Sequence, residues 1–229
     1  MIISMKQIKA ILFDLDNTLI DFIQMKKEAC RAAVRAMIRS GLRMSEAKAY
    51  RELMKTYFKV GIESDRAFTK FLKSVNQFDY KILAAAINSY LKTKNNFLKP
   101  YPKVRSTLRK LKSRGVILAI VTDAPKRKAY QRLLAMKIDK YFDFVVGFED
   151  TKHKKYSGLP LKVAIEKLKK ELPEIKKNEI IMIGDSIKRD ILPAKKLGMI
   201  TVLAKYGQTE KERGKADYEI SNISEILKL

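Results

Sequence analysis

The sequence predicts an α/β protein: a parallel, Rossmann-like sheet with helices on both faces, interrupted after its first strand by a helical insert. Three observations carry this expectation. Short apolar runs of strand length alternate with helical patterns. The alternation gives way to helices alone over residues 21–98. Two of the apolar runs end in acids, at Asp14 and at Asp185.

Taken in order, Lys9-Ala-Ile-Leu-Phe-Asp14 reads as a buried strand ending in acids. Comparable runs follow at Val116 to Val121, Phe144 to Val146, Ile180 to Ile183 and Ile200 to Leu203. Helical patterns lie between most of them, at Lys103 to Ser113, Lys126 to Met136, Leu161 to Leu172 and Lys188 to Leu197. Continuous apolar strands separated by helices are what a parallel sheet covered on both faces requires. Gly115 and Gly198 follow helices, where a left-handed closing residue is wanted. Residues 21–98 read as four helices: Asp21 to Arg39, Ser45 to Val60, Ser64 to Ser74 and Asp79 to Leu91. Alanines at 29, 32, 33 and 36 allow close helix approach, and Pro100 and Pro102 mark the return to the sheet. The expected division is a core of residues 1–20 and 99–229 and a helical domain of residues 21–98.

Composition narrows the class. The chain has 229 residues, 46% of them hydrophobic, enough for a real core. Its single cysteine, Cys30, cannot form an intrachain disulfide, and a reducing cytoplasm is the simplest setting. No apolar run is long enough to span a bilayer, and acids at 14 and 16 argue against a signal peptide. The net charge of +24 permits nucleic-acid binding, steering of small anions, or simply a lysine-rich, solvated surface. Lys27, Arg31, Arg35, Arg39 and Arg43, at spacing four, line one helical face that is either solvated or turned to phosphate.

The chemistry-bearing residues fall at strand ends, the edge where ligands bind in open α/β sheets. In Asp14-Leu15-Asp16-Asn17-Thr18, two nearby carboxylates repel unless a cation or a shared proton compensates. Gly184-Asp185-Ser186 repeats the strand-end acid, and Asp190 follows where it could cap a helix. Thr122-Asp123 puts a hydroxyl at a strand end just before a helix, suited to a phosphate oxygen or to an ordinary cap. Lys152-His153-Lys154-Lys155 offers a cation to neutralise phosphate and acids, or a basic surface loop.

In that order, the four features resemble the haloacid dehalogenase-like hydrolase superfamily. Asp14, Asp16 and Thr18 match its first motif, Thr122 its second, and Gly184, Asp185 and Asp190 its fourth. The third is a lysine, here Lys154 or Lys155; the usual Lys-Pro-x-Pro is replaced by Lys155-Tyr-Ser-Gly-Leu-Pro160, two residues longer. Counting forward from the preceding strand selects Lys155. The insert position belongs to the subfamily with an α-helical C1-type cap. Tyr101-Pro102, Ala194 to Gly198 and Ala216 to Ile220 look most like archaeal phosphatases assigned to glyceraldehyde 3-phosphate.

The resemblance implies a magnesium-dependent phosphatase acting on small phosphorylated metabolites. Asp14 would be the nucleophile that becomes an aspartyl-phosphate, and Asp16 the acid and then the base. Mg2+ would bind Asp14, Asp185 and the Asp16 backbone carbonyl. Thr122, Asp123 and Lys155 would hold the phosphoryl group, with Asp190 and Ser186 in support, and the helical cap would close over the substrate. Rival readings are a sugar-phosphate mutase, a metal-independent haloacid dehalogenase, against which Asp16 argues, and a basic nucleic-acid-binding protein. The chain lacks the zinc spacing or RNP-like motif expected of the last.

Overall fold

The computed structural model describes residues 7–229. The chain divides into two compact units, one running up to Asp21 and resuming at Lys99, the other spanning Phe22–Leu98. Of the expected core, residues 1–6 lie outside the described residues.

Strand β1 (Ala10–Phe13) opens the first unit, and all four of its residues are buried. The chain then enters the helical unit: α1 (Phe22–Arg39), α2 (Glu46–Val60), α3 (Ala67–Ser74) and α4 (Tyr80–Phe97). Asp79 starts α4, its side chain accepting from the Ile82 amide at 3.0 Å. Helix α4 runs six residues past the expected Leu91, through the polar tail Lys92-Thr-Lys-Asn-Asn-Phe97, which carries no apolar periodicity. The core of this unit gathers Ala33, Val34 and Met37 of α1, Leu53 and Tyr57 of α2, Phe68, Phe71 and Leu72 of α3, and Ile82 and Ala86 of α4. Cys30 is buried among them, and burial pushes its thiol up to about 11. Lys27, Arg31, Arg35 and Arg39 are exposed along α1, and Arg43 is exposed beyond its end. Arg31 pairs with Glu28 at 2.9 Å and Arg35 with Glu46 at 2.8 Å.

Back in the first unit, α5 (Val104–Ser113) precedes β2 (Ile117–Val121), then α6 (Lys126–Ala135), β3 (Phe144–Val146), α7 (Phe148–Thr151), α8 (Leu159–Glu171) and β4 (Ile180–Gly184). A π-type turn over Ile187–Ile191 leads into α9 (Leu192–Lys196), followed by β5 (Ile200–Ala204) and β6 (Tyr218–Ile220). The six strands form one sheet in the order β3-β2-β1-β4-β5-β6, and every neighbouring pair is parallel. Alternate residues Ala10, Leu12, Ala119, Val121, Ile180 and Met182 pack with Leu161, Ala164 and Leu168 of α8. The intervening Ile11, Phe13, Leu118, Ile120, Ile181 and Ile183 are fully buried too. Each such side chain contributes about 1.5–3 kcal/mol by leaving water.

Other elements depart from the sequence expectation too. Lys188 to Leu197 is not one helix: Pro193, which cannot donate a backbone hydrogen bond, sits in the first turn of α9, and a π-type turn precedes it. Strand β6, three residues with Glu219 exposed, is a short edge strand too polar to register as an apolar run.

Close approach of α1 and α4 is visible in the Ser89 hydroxyl of α4, which donates to the Ala32 carbonyl at 3.0 Å. Ala33 is fully buried on α1. Ala33→Leu is therefore expected to overpack the helical unit and cost about 1–3 kcal/mol. Urea unfolding measures this; an unchanged midpoint would show that the core has room for the larger side chain.

Candidate active site

The strand order reverses between β1 and β4, and the carboxyl ends of such neighbours form the crevice of an open α/β sheet. Asp14 follows β1, its amide donating to the Ile183 carbonyl at 2.8 Å, and Asp185 follows β4. Asp190 comes back to the same point through the π-type turn. Its Oδ2 accepts from the Ser186 amide at 3.1 Å. Gly184 makes room for it: a Cβ there would lie 2.3 Å from the Asp190 carboxyl carbon. The cap of this turn is Ser186, whose hydroxyl accepts from the Arg189 amide at 3.1 Å, so Asp190 is not the helix cap that its spacing suggested.

Carboxylate oxygens of Asp14, Asp185 and Asp190 all lie within 4.8 Å of one another, and all three residues are buried. Lys155 enters this cluster. Its buried Nζ pairs with Asp14 Oδ1 and sits 2.6 Å from Asp190 Oδ1. Lys154 is exposed. Lys155–Ser157 form a 3-10 turn closed by Gly158 in the left-handed conformation. Asp123 holds that turn from the neighbouring strand end, accepting from the Lys155 amide at 2.7 Å. Thr122 is buried beside it, its Oγ1 accepting from the Ala124 amide at 3.2 Å. The Thr18 hydroxyl donates to Asp14 Oδ2 at 3.4 Å. Asp16 stands outside the three-carboxylate cluster, its Oδ2 at 3.3 Å from Arg132. His153 is exposed and bonds within its own loop.

Three acids in one buried space strain the electrostatics. Burial, with the charges of Asp14 and Asp190 added, pushes the Asp185 carboxyl up to about 8. Burial likewise pushes Asp190 up to about 6, although Lys155 pulls against it. Burial alone would lower Lys155, but Asp14 and Asp190 outweigh it and hold the ammonium protonated. Arg189, 3.7 Å from Asp185, is held charged by the same acids against its own burial.

A hard divalent cation fits this chemistry, because the donors are carboxylate oxygens in excess of the fixed cations around them. Asp185 Oδ1 is buried and has no hydrogen-bond partner among the described residues, which suits an oxygen that ligates a cation.

Several contributors escape a reading of motifs. Asn17, at φ 61°, turns the β1 loop and reaches Asp185 Oδ2 at 3.5 Å. Gly207 packs on it so closely that a Cβ would meet the Asn17 carbonyl oxygen at 1.7 Å. Tyr206 donates to the Thr18 carbonyl at 2.7 Å, and Glu212 accepts from the Ser186 hydroxyl at 3.0 Å and the Lys188 amide at 2.9 Å. Nothing in their local sequence marks these loop residues. Arg132 does leave a trace, since it shares the buried face of α6 with Ala129 and Leu133.

The model of the haloacid dehalogenase-like hydrolase family matches residues 11–204. The chain is 32% identical to a glyceraldehyde 3-phosphate phosphatase of Pyrococcus furiosus, over 98% of this chain and 94% of that protein. It is 34% identical to a protein of the same name from Methanocaldococcus jannaschii, over 96% of each. Among solved structures, a HAD phosphatase from Thermococcus onnurineus superposes with a TM-score of 0.70 at 26% identity, covering 96% of this chain and 97% of that one.

The carboxylate cluster yields a pH dependence. Asp185 titrates near 8 folded, against an ordinary value of 3.8. Between those values the folded metal-free protein holds a proton that the unfolded chain has lost, so stability falls as pH rises through this window. With cations chelated, Asp185→Asn is expected to melt above the wild type at pH 8, the gap closing toward about pH 4. Magnesium should then raise the melting temperature of the wild type and leave the variant nearly unmoved. A gap between the two chelated proteins that stays constant with pH would contradict this electrostatic picture.

Proposed function

Because the chain belongs to the haloacid dehalogenase-like hydrolases, and among them to the phosphatases, we propose that it hydrolyses small phosphorylated metabolites with Mg2+ through an aspartyl-phosphate on Asp14. The observation that carries the proposal is Lys155 buried between Asp14 and Asp190, beside the unsatisfied Asp185 oxygen. A dehalogenase needs neither a metal nor a second acid beside the nucleophile, so Asp16 argues against that reading. No helix among the described residues is long and apolar enough to cross a membrane, and a buried, unpaired Cys30 accords with a cytoplasmic setting.

In this reading an Asp14 carboxylate oxygen attacks the phosphorus. The bond to the leaving oxygen breaks, and Asp16 gives that oxygen its proton. Water then attacks the phosphorus, passing a proton to Asp16; the bond to Asp14 breaks and phosphate departs. Thr122, the backbone at Asp123 and Lys155 hold the non-reacting phosphoryl oxygens, where charge must be matched. Asp14, Asp185 and the Asp16 backbone carbonyl would hold Mg2+, with Asp190 and Ser186 fixing the turn beside it. Bound there, the ion neutralises phosphate and carboxylate charge. The names of the archaeal relatives favour glyceraldehyde 3-phosphate as substrate. The net charge of +24 would draw such anions to the surface rather than serve a nucleic acid.

Phosphate release from p-nitrophenyl phosphate and from glyceraldehyde 3-phosphate should require magnesium and vanish in Asp14→Asn. Lys155→Ala should lower kcat/KM about a hundredfold, roughly 3 kcal/mol, while Lys154→Ala changes little. Undiminished turnover after exhaustive chelation, or in a folded Asp14→Asn, would overturn the assignment. Isomerisation of a sugar phosphate without net phosphate release would point to a mutase instead.

A further inference from the structure

Arg132 is the bulkiest fully buried side chain among the described residues. It lies on a face of α6 that otherwise buries Ala129 and Leu133, where a leucine or methionine would satisfy packing alone. An arginine taken out of water at such a place costs stability unless a carboxylate meets it. One carboxylate that meets it is Asp16, with Arg132 Nη1 at 3.3 Å from Asp16 Oδ2. Asp16 itself follows β1 in a short, turning loop, and its side chain is 21% exposed. Helix α6 thus reaches from the end of β2 across to the loop of β1 with one charged group.

We propose that Arg132 is a positioning residue for proton transfer, its guanidinium pairing with the Asp16 carboxyl and setting where that group stands when it exchanges its proton with the leaving oxygen and then with water. This rests on the reading of Asp16 as the acid and base of the reaction. A buried guanidinium on a packed helix limits where its paired carboxyl can stand, and small misplacements of a catalytic group are costly. The consequence is selective. A displaced acid matters most when the leaving oxygen cannot depart unprotonated, so alkyl phosphates should suffer more than aryl phosphates carrying an acidic phenol.

The test compares kcat/KM for p-nitrophenyl phosphate and glycerol phosphate in the wild type, Arg132→Met, Arg132→Lys, Asp16→Asn and the double variant Asp16→Asn/Arg132→Met, at saturating magnesium. Arg132→Met is expected to lose about tenfold more on glycerol phosphate than on p-nitrophenyl phosphate. Arg132→Lys should recover part of that difference, and Arg132→Met should add no further leaving-group dependence once Asp16 is asparagine. Equal losses on both substrates in Arg132→Met, with a leaving-group split in Asp16→Asn, would overturn the role of Arg132 and leave that of Asp16 standing. Absence of a split in Asp16→Asn would overturn both. If Arg132→Met fails to fold, Arg132→Lys carries the test: a split of the same sign supports the proposal, and equal losses refute it.

Discussion

Everything at the sheet edge depends on a buried ammonium among buried carboxylates. Asp14, Asp185 and Asp190 are brought within 4.8 Å, closer than like charges tolerate in a medium that screens poorly. Lys155 makes the arrangement tenable by contacting two of the three. Burial would strip its proton, and the carboxylates restore it. The compensation is incomplete, since Asp185 keeps an unsatisfied oxygen and a raised pKa. A structure organised only for stability would not retain that residual charge problem; a site that binds a cation and phosphate together uses it.

The rest of the first unit is arranged to hold that cluster. Three adjacent parallel strands supply its anchors: Asp14 follows β1, Thr122 and Asp123 follow β2, and Asp185 follows β4. Loops lock the anchors by close approach. Gly184 leaves the space that the Asp190 carboxyl fills, and Gly207 lets the loop after β5 rest against the Asn17 carbonyl. Tyr206 and Glu212 tie that same loop to Thr18 and Ser186, so one surface segment braces the turns after both β1 and β4.

Much of this is legible in the sequence alone. Apolar runs bounded by turns identify β1 to β5, because strands of a parallel sheet are buried on both faces and show no alternation to mislead. Acids at the ends of such runs cost too much to be incidental, which is why Asp14 and Asp185 stand out. What was not legible depends on distant contacts. Tyr218-Glu-Ile220 becomes a strand only because β5 offers it an edge. Arg132 leaves only a faint trace, its place on the apolar face of α6, and what lies across from it gives that place a meaning. Lys155 was separable from Lys154 only by counting, whereas burial separates them at once: Lys155 faces the acids and Lys154 the solvent. Asp190 looked like a helix cap because a π-type turn, which has no clear sequence signature, takes the place of a helical start.

The claim on which the account stands is that Asp14 becomes covalently phosphorylated. Rapid acid quench of the enzyme during turnover of an aryl phosphate with magnesium, followed by peptide mass analysis, tests it directly. Asp16→Asn, which should slow hydrolysis of the intermediate, provides the favourable background. The account predicts a phosphoryl adduct on the peptide containing Asp14, formed and lost at rates compatible with turnover, and absent from Asp14→Asn. An adduct on another residue, or steady phosphate release with oxygen transferred directly from water and no adduct at any time, would contradict it.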